Sequence, residues 1–112
     1  MKYISPRILT AIVLALAAYA VALAAIDCTK IHVYDCSVNQ GGDVMAGGVG
    51  SVPGGATVTA YKLGAPAVTR ETTAKADGSF FAGVAVLDVT VGDQVVVKVG
   101  KDSCIVTVEP CP

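Results

Sequence analysis

The residue types able to do chemistry are few in this chain: four cysteines (Cys28, Cys36, Cys104, Cys111), one histidine (His32) and scattered carboxylates. A histidine acts as a general base only beside a positioned nucleophile and an orienting partner, and Ser37, Ser51, Ser79 and Ser103 stand in no Gly-x-Ser-x-Gly setting. Flanked by Ile31 and Val33, His32 reads as a solvent-facing strand residue. Asp43, Asp77, Asp88, Asp93 and Asp102 fall at turns or strand ends, where aspartate bonds the backbone, and no Asp-x-Asp-x-Asp run offers a calcium loop. The cysteines lack Cys-x-x-Cys spacing, so zinc is not indicated. Gly47-Gly48-Val49-Gly50 is no phosphate cradle, because neither a helix nor Lys-Ser/Thr follows it. Tyr34 and Tyr61 read as core-edge residues in preference to a carbohydrate platform, and the chain has neither tryptophan nor an Asn-x-Ser/Thr sequon. No catalytic, metal or cofactor site is expected, and the reading is of a protein without catalytic turnover.

What the cysteines can do is cross-link. Lys2 and Arg7 precede an uncharged run from Ile8 to Ala25 that contains Ala22-Leu23-Ala24, the small-x-small pattern of signal cleavage. The expectation is a secretory signal peptide over residues 1–24 and a domain over 25–112. The competing expectation keeps Ile8 to Ile26 as a membrane anchor. Four cysteines on a secreted route imply two disulfides with three possible connectivities. Pairing 36 with 104 and 28 with 111 suits antiparallel segments, because the position sums, 140 and 139, nearly agree. Pairing 28 with 104 and 36 with 111 suits parallel segments almost as well. The local option, 28 with 36 and 104 with 111, closes short loops worth roughly 2.5 kcal/mol each, against roughly 4 for a long one.

The elements that must hold these residues are strands. Without its leader the chain has six Lys/Arg and nine Asp/Glu, a net charge of −3, which argues against nucleic acid and anionic membrane as partners. Rich in valine, alanine and glycine, it suits a small β core that buries only about 60–65% of its unfolded surface and so calls for cross-links. Alternation and turn signals predict seven strands and no helix after the leader: about 31–38, 43–49, 56–63, 68–75, 79–86, 94–99 and 104–109. Pro53-Gly54-Gly55 reads as a turn, and Asp77-Gly78 as a two-residue hairpin loop between the fourth and fifth strands. Val58, Phe80, Val95, Val97, Val106 and Val108 are the expected core, with Glu109 on the opposite face of the last strand and Pro110 ending it. Of Phe80 and Phe81, one faces inward and one outward.

The order Gly55-Ala56-x-Val58, a variable strand, then Asp77-Gly78-x-Phe80 resembles a motif of extracellular transthyretin-like and carboxypeptidase-regulatory-like sandwiches. Val33 to Asn39 with Asp43-Val44, and Val95-Val96-Val97 with Ser103-Cys104, are similar to segments of plant phylloplanins in the olive-pollen-allergen superfamily. The resemblance covers about Ile31 to Val108 and departs from the family at Ala60-Tyr61, where the family tends to carry another cysteine, and at Cys28 and Cys111, which lie outside the family pattern. It implies an all-β, seven-stranded Greek-key sandwich of transthyretin or immunoglobulin-like type. It also favours the nested pairing of Cys36 with Cys104 and Cys28 with Cys111. The function it implies is a secreted, non-enzymatic defence protein that inhibits oomycete or fungal growth at the plant surface. Its partner would be an extracellular or pathogen-surface component, with no stable membrane association after signal cleavage. Two other readings are a structural or adhesive wall protein of the same superfamily and a membrane-anchored surface or filament subunit.

Overall fold

The computed structural model describes residues 26–112; the expected leader and the expected cleavage after Ala24 lie outside the described residues. Among these residues eight strands form two four-stranded sheets. The first sheet has the order β5-β2-β1-β8, from Phe80–Gly83, Val44–Gly47, Ile31–Asp35 and Glu109–Pro110. The second has the order β4-β3-β6-β7, from Thr69–Thr73, Thr57–Lys62, Gln94–Val99 and Asp102–Thr107. All pairings are antiparallel except β1 with β8, which is parallel.

Period-two alternation is what makes the sandwich. In β1, Ile31 and Val33 point inward; in β6, Val95, Val97 and Val99 do; in β7, Cys104 and Val106 do. These residues join Met45, Val58, Phe80 and Val108 in one apolar cluster shared by both sheets. Val58, Phe80, Val95, Val97, Val106 and Val108 are all buried. Val96, on the outer face of β6, is also buried, seated in one row between Tyr61 and Ile105.

The strand count and several boundaries are corrected. The expected last strand divides: β7 stays in the second sheet, and the chain then crosses at Val108 to form β8 in the first. Val108 makes the crossing by bonding the 90–93 turn, donating to the Asp93 carbonyl (2.8 Å) and accepting from Gly92 N–H (3.0 Å). Glu109 therefore belongs to the first sheet. Pro110 lies within β8 instead of ending β7, a place open to proline because β8 is an edge. Three single turns of 3-10 helix occur where none was expected, at Cys28–Lys30, Val38–Gln40 and Ala85–Leu87. The last of these replaces the end of the expected fifth strand and buries Leu87.

The Asp77-Gly78 turn is also corrected. The reversal is there, with Gly78 N–H donating to the Lys75 carbonyl (2.9 Å) and Lys75 N–H to the Ser79 carbonyl (2.8 Å). Yet β4 and β5 do not pair, since each leaves for a different sheet. Packing of the turn against the chain before it decides this. A Cβ on Gly78 would strike the Val52 carbonyl, and a Cβ on Gly54 would strike the Ala76 carbonyl. The Pro53-Gly54-Gly55 turn, closed by Ala56 N–H to the Pro53 carbonyl (3.1 Å), is thus docked onto the 75–78 turn. Ser51 is fully buried behind it and donates its hydroxyl to the Gly78 carbonyl (2.9 Å).

Candidate functional site

The disulfides join Cys28 to Cys104 and Cys36 to Cys111, with Cα atoms 5.7 and 4.9 Å apart. The nested pairing of 36 with 104 and 28 with 111 is overturned. The reason lies in strand direction: a constant sum marks antiparallel neighbours, but β1 and β8 run parallel, so it is the difference that is constant. Tyr34 pairs with Glu109 and Asp35 with Pro110, an offset of 75, and the bonded cysteines are separated by 76 and 75 residues. Cys28, in the turn before β1, ties the first sheet to β7 of the second, and Cys36 ties the end of β1 to the segment after β8.

The same parallel pairing carries Glu109 to the outer face of the first sheet, beside His32. Glu109 Oε2 lies 2.7 Å from His32 Nδ1, both side chains being roughly half exposed. The His32 ring lies nearly parallel to that of Tyr34, two residues along β1, at 5.8 Å between centroids and 9° between planes. His32 therefore has a carboxylate hydrogen-bond partner and an aromatic neighbour on its strand face, which its flanking residues did not reveal. Among the described residues no hydroxyl hydrogen-bonds to His32.

Register extends this face. His32 is opposite Ala46 of β2, and Ala46 is opposite Phe81 of β5. One row further, Tyr34 is opposite Val44, and Val44 is opposite Gly83. The outcome is a strip with small residues at its centre, the His32–Tyr34 stack and Glu109 along one side, and Phe81 along the other. Phe81 is 69% exposed, the most exposed large apolar side chain among the described residues, whereas Phe80 points into the core at 4%. Arg70 of β4 reaches across the open side of the sandwich and donates from Nε to the Gly83 carbonyl (2.9 Å), so β5 is held beside the other sheet.

The carboxylates hold loops. Asp77 accepts from the Ser79 hydroxyl (2.6 Å) and backbone N–H (2.9 Å), and those bonds lower its pKa. Asp27 is lowered in the same way by Thr29, and Asp93 by the Thr90 N–H. Asp43 moves the other way. Partial burial raises it, the neighbouring Asp35 adds to the rise, and the Cys36 N–H that it accepts (3.2 Å) opposes it. No group of three or more His, Cys, Asp or Glu side chains gathers to hold a metal among the described residues. No helix among them is long and apolar enough to cross a membrane.

Compared with known protein families, with curated proteins and with solved structures, the chain finds no match.

Proposed function

We propose that this chain is a secreted, non-enzymatic defence protein, similar to the phylloplanins, that inhibits oomycete or fungal growth at the plant surface. In this reading residues 1–24 are removed and 25–112 act outside the cell as a Greek-key sandwich of transthyretin-like type. The observation that carries it is the pairing of all four cysteines into two disulfides, a state that persists on the secretory route and is compatible with an extracellular protein. The strand order supports the Greek-key assignment: β2 and β5 are neighbours in one sheet while β3 and β4, between them in sequence, pair in the other. A His32–Glu109 pair with no hydroxyl hydrogen-bonded to the histidine among the described residues supports a role in binding instead of turnover. The partner is an extracellular or pathogen-surface component, with no nucleic acid and no cofactor.

The test is a spore-germination assay with the disulfide-intact protein recovered from a secreting host, together with N-terminal sequencing. Inhibition by protein that begins near Ala25 is expected. Germination unaffected by the protein would remove the defence reading, and Met1 on the extracellular product would favour the anchored filament subunit. The exposed Phe81 strip favours, as a second reading, an adhesive wall protein that binds an extracellular polymer.

A further inference from the structure

We infer that the outer face of the first sheet is a binding site for an uncharged polysaccharide, gripped between Phe81 and the His32–Tyr34 stack. This names the partner class of the binding role proposed above and rests on that role. The geometry begins with register. Phe81, Ala46 and His32 are successive cross-strand partners, so the two aromatic sides stand two strand spacings apart, about 10 Å at the backbone. Between them lie Ala46 and Val44, too short to fill the space. Rings thus stand on both sides of Ala46 and Val44 on an open surface, at a spacing on the order of one sugar ring.

Its chemistry matches a sugar chain. The C–H face of a pyranose packs on an aromatic face, and its hydroxyls need donors and acceptors at the edge of the same surface. His32 and Glu109, 2.7 Å apart, supply both at that edge. The Glu109 carboxylate at that edge disfavours an anionic ligand. The six Lys/Arg and nine Asp/Glu of the chain after its leader further disfavour an acidic polymer.

Area decides against a second copy of the chain. The strip spans four strands and two rows of residues, on the order of 200–300 Å², against roughly 800 Å² that each partner buries in a stable protein interface. A linear polymer needs only a few rings seated at once and gains by repeating the contact along its length.

Affinity electrophoresis of the secreted, disulfide-intact protein in gels cast with a soluble β-glucan, xylan, glycol chitin or polygalacturonate tests the site. Retardation by at least one of the three neutral polymers, and none by polygalacturonate, is expected. Phe81→Ala should weaken retardation about 10- to 100-fold, the affinity equivalent of exposing one phenyl ring. Phe81→Leu, which keeps apolar bulk but no ring, should weaken it as well. Ile105→Ala, on the outer face of the other sheet, should leave it unchanged, and melting curves of all variants should overlay. Four results would each overturn the proposal: no retardation by any neutral polymer, retardation by polygalacturonate alone, equal loss from Ile105→Ala, or a solution dimer that Phe81→Ala abolishes. Growth inhibition without retardation would remove this site and leave the defence role standing, whereas retardation without inhibition would do the converse.

Discussion

Gly47 offers the sharpest test of how the core is packed. It lies in β2, opposite Phe80 of β5, and is buried. A methyl group there would lie 2.5 Å from Ser51 Oγ and 2.6 Å from Phe80 Cδ1, both well inside van der Waals contact. Two effects oppose one another in Gly47→Ala. Restricting the unfolded chain stabilises by about 0.4–1 kcal/mol, and overpacking the core costs about 1–3 kcal/mol, so destabilisation should win by about 1–2 kcal/mol. Phe80→Ala alone should cost about 3–5 kcal/mol through the cavity it leaves. Combined, the two should not add, because the new methyl group moves into the space the ring vacated and Ser51 can turn aside, at the loss of a hydrogen bond worth about 1 kcal/mol. The double variant should be about as stable as Phe80→Ala alone, a coupling of about 1–2 kcal/mol. Urea denaturation of the four proteins with disulfides intact gives the cycle. If Gly47→Ala costs as much without the ring as with it, the ring is not what this glycine makes room for.

Gly78 has φ of +82° and the Val52 carbonyl where a Cβ would stand, so Gly78→Ala should cost about 2 kcal/mol or more, read from the same denaturation curves. Each disulfide alone closes a loop of about 75 residues, but once one exists the other adds a ring of only eight plus seven, from Cys28 to Cys36 and from Cys104 to Cys111. Replacing either pair by alanine should therefore cost a similar amount, about 3 kcal/mol, with peptide mapping of the native protein finding 28 with 104 and 36 with 111; a silent pair would refute this. Asp77, held low by Ser79, contributes stability present above the unfolded carboxylate pKa and lost as pH falls through its folded value, so Asp77→Ala should soften the acid-side loss in pH-resolved denaturation. Asp43 has the opposite sign, its contribution being present below the unfolded pKa and lost as pH rises through the raised folded value. Asp43→Asn should thus stabilise at neutral pH and not in acid.

The inward valines of β6 and β7 were legible because alternation needs only the chain itself: Val95, Val97 and Val106 are apolar at every second position, and burial follows. Which sheet a strand joins is a non-local matter. Asp77-Gly78 signals a reversal equally well whether the flanking strands pair or part, and here the contacts of Gly54 and Gly78 with neighbouring backbone send them apart. Cysteine spacing likewise admitted two long-range pairings, and the choice turned on the direction of β8, two residues that no periodicity can announce. The candidate face stayed hidden for the same reason. Glu109 meets His32 across 77 residues, and Phe81 meets it only through Ala46. The adjacent pair Phe80-Phe81 was the one local sign, since a strand must show one of two consecutive rings to solvent.

The parallel offset of the two disulfides has a mechanical consequence. Tension applied to the chain on either side of Cys28 and Cys111 does not run through the sandwich. It divides between two short covalent routes, one through the Cys28–Cys104 bond and seven residues on to Cys111, the other through eight residues to Cys36 and its bond to Cys111. Neither can lengthen beyond about 30–35 Å, since a fully extended residue spans at most about 3.6 Å and the disulfides add Cα–Cα steps of 5.7 and 4.9 Å, and both consist largely of strand already. The five strands outside these routes bear no load. Anchored at both ends in a stretched layer, the domain would act as a stiff link whose span changes little even if its core melted.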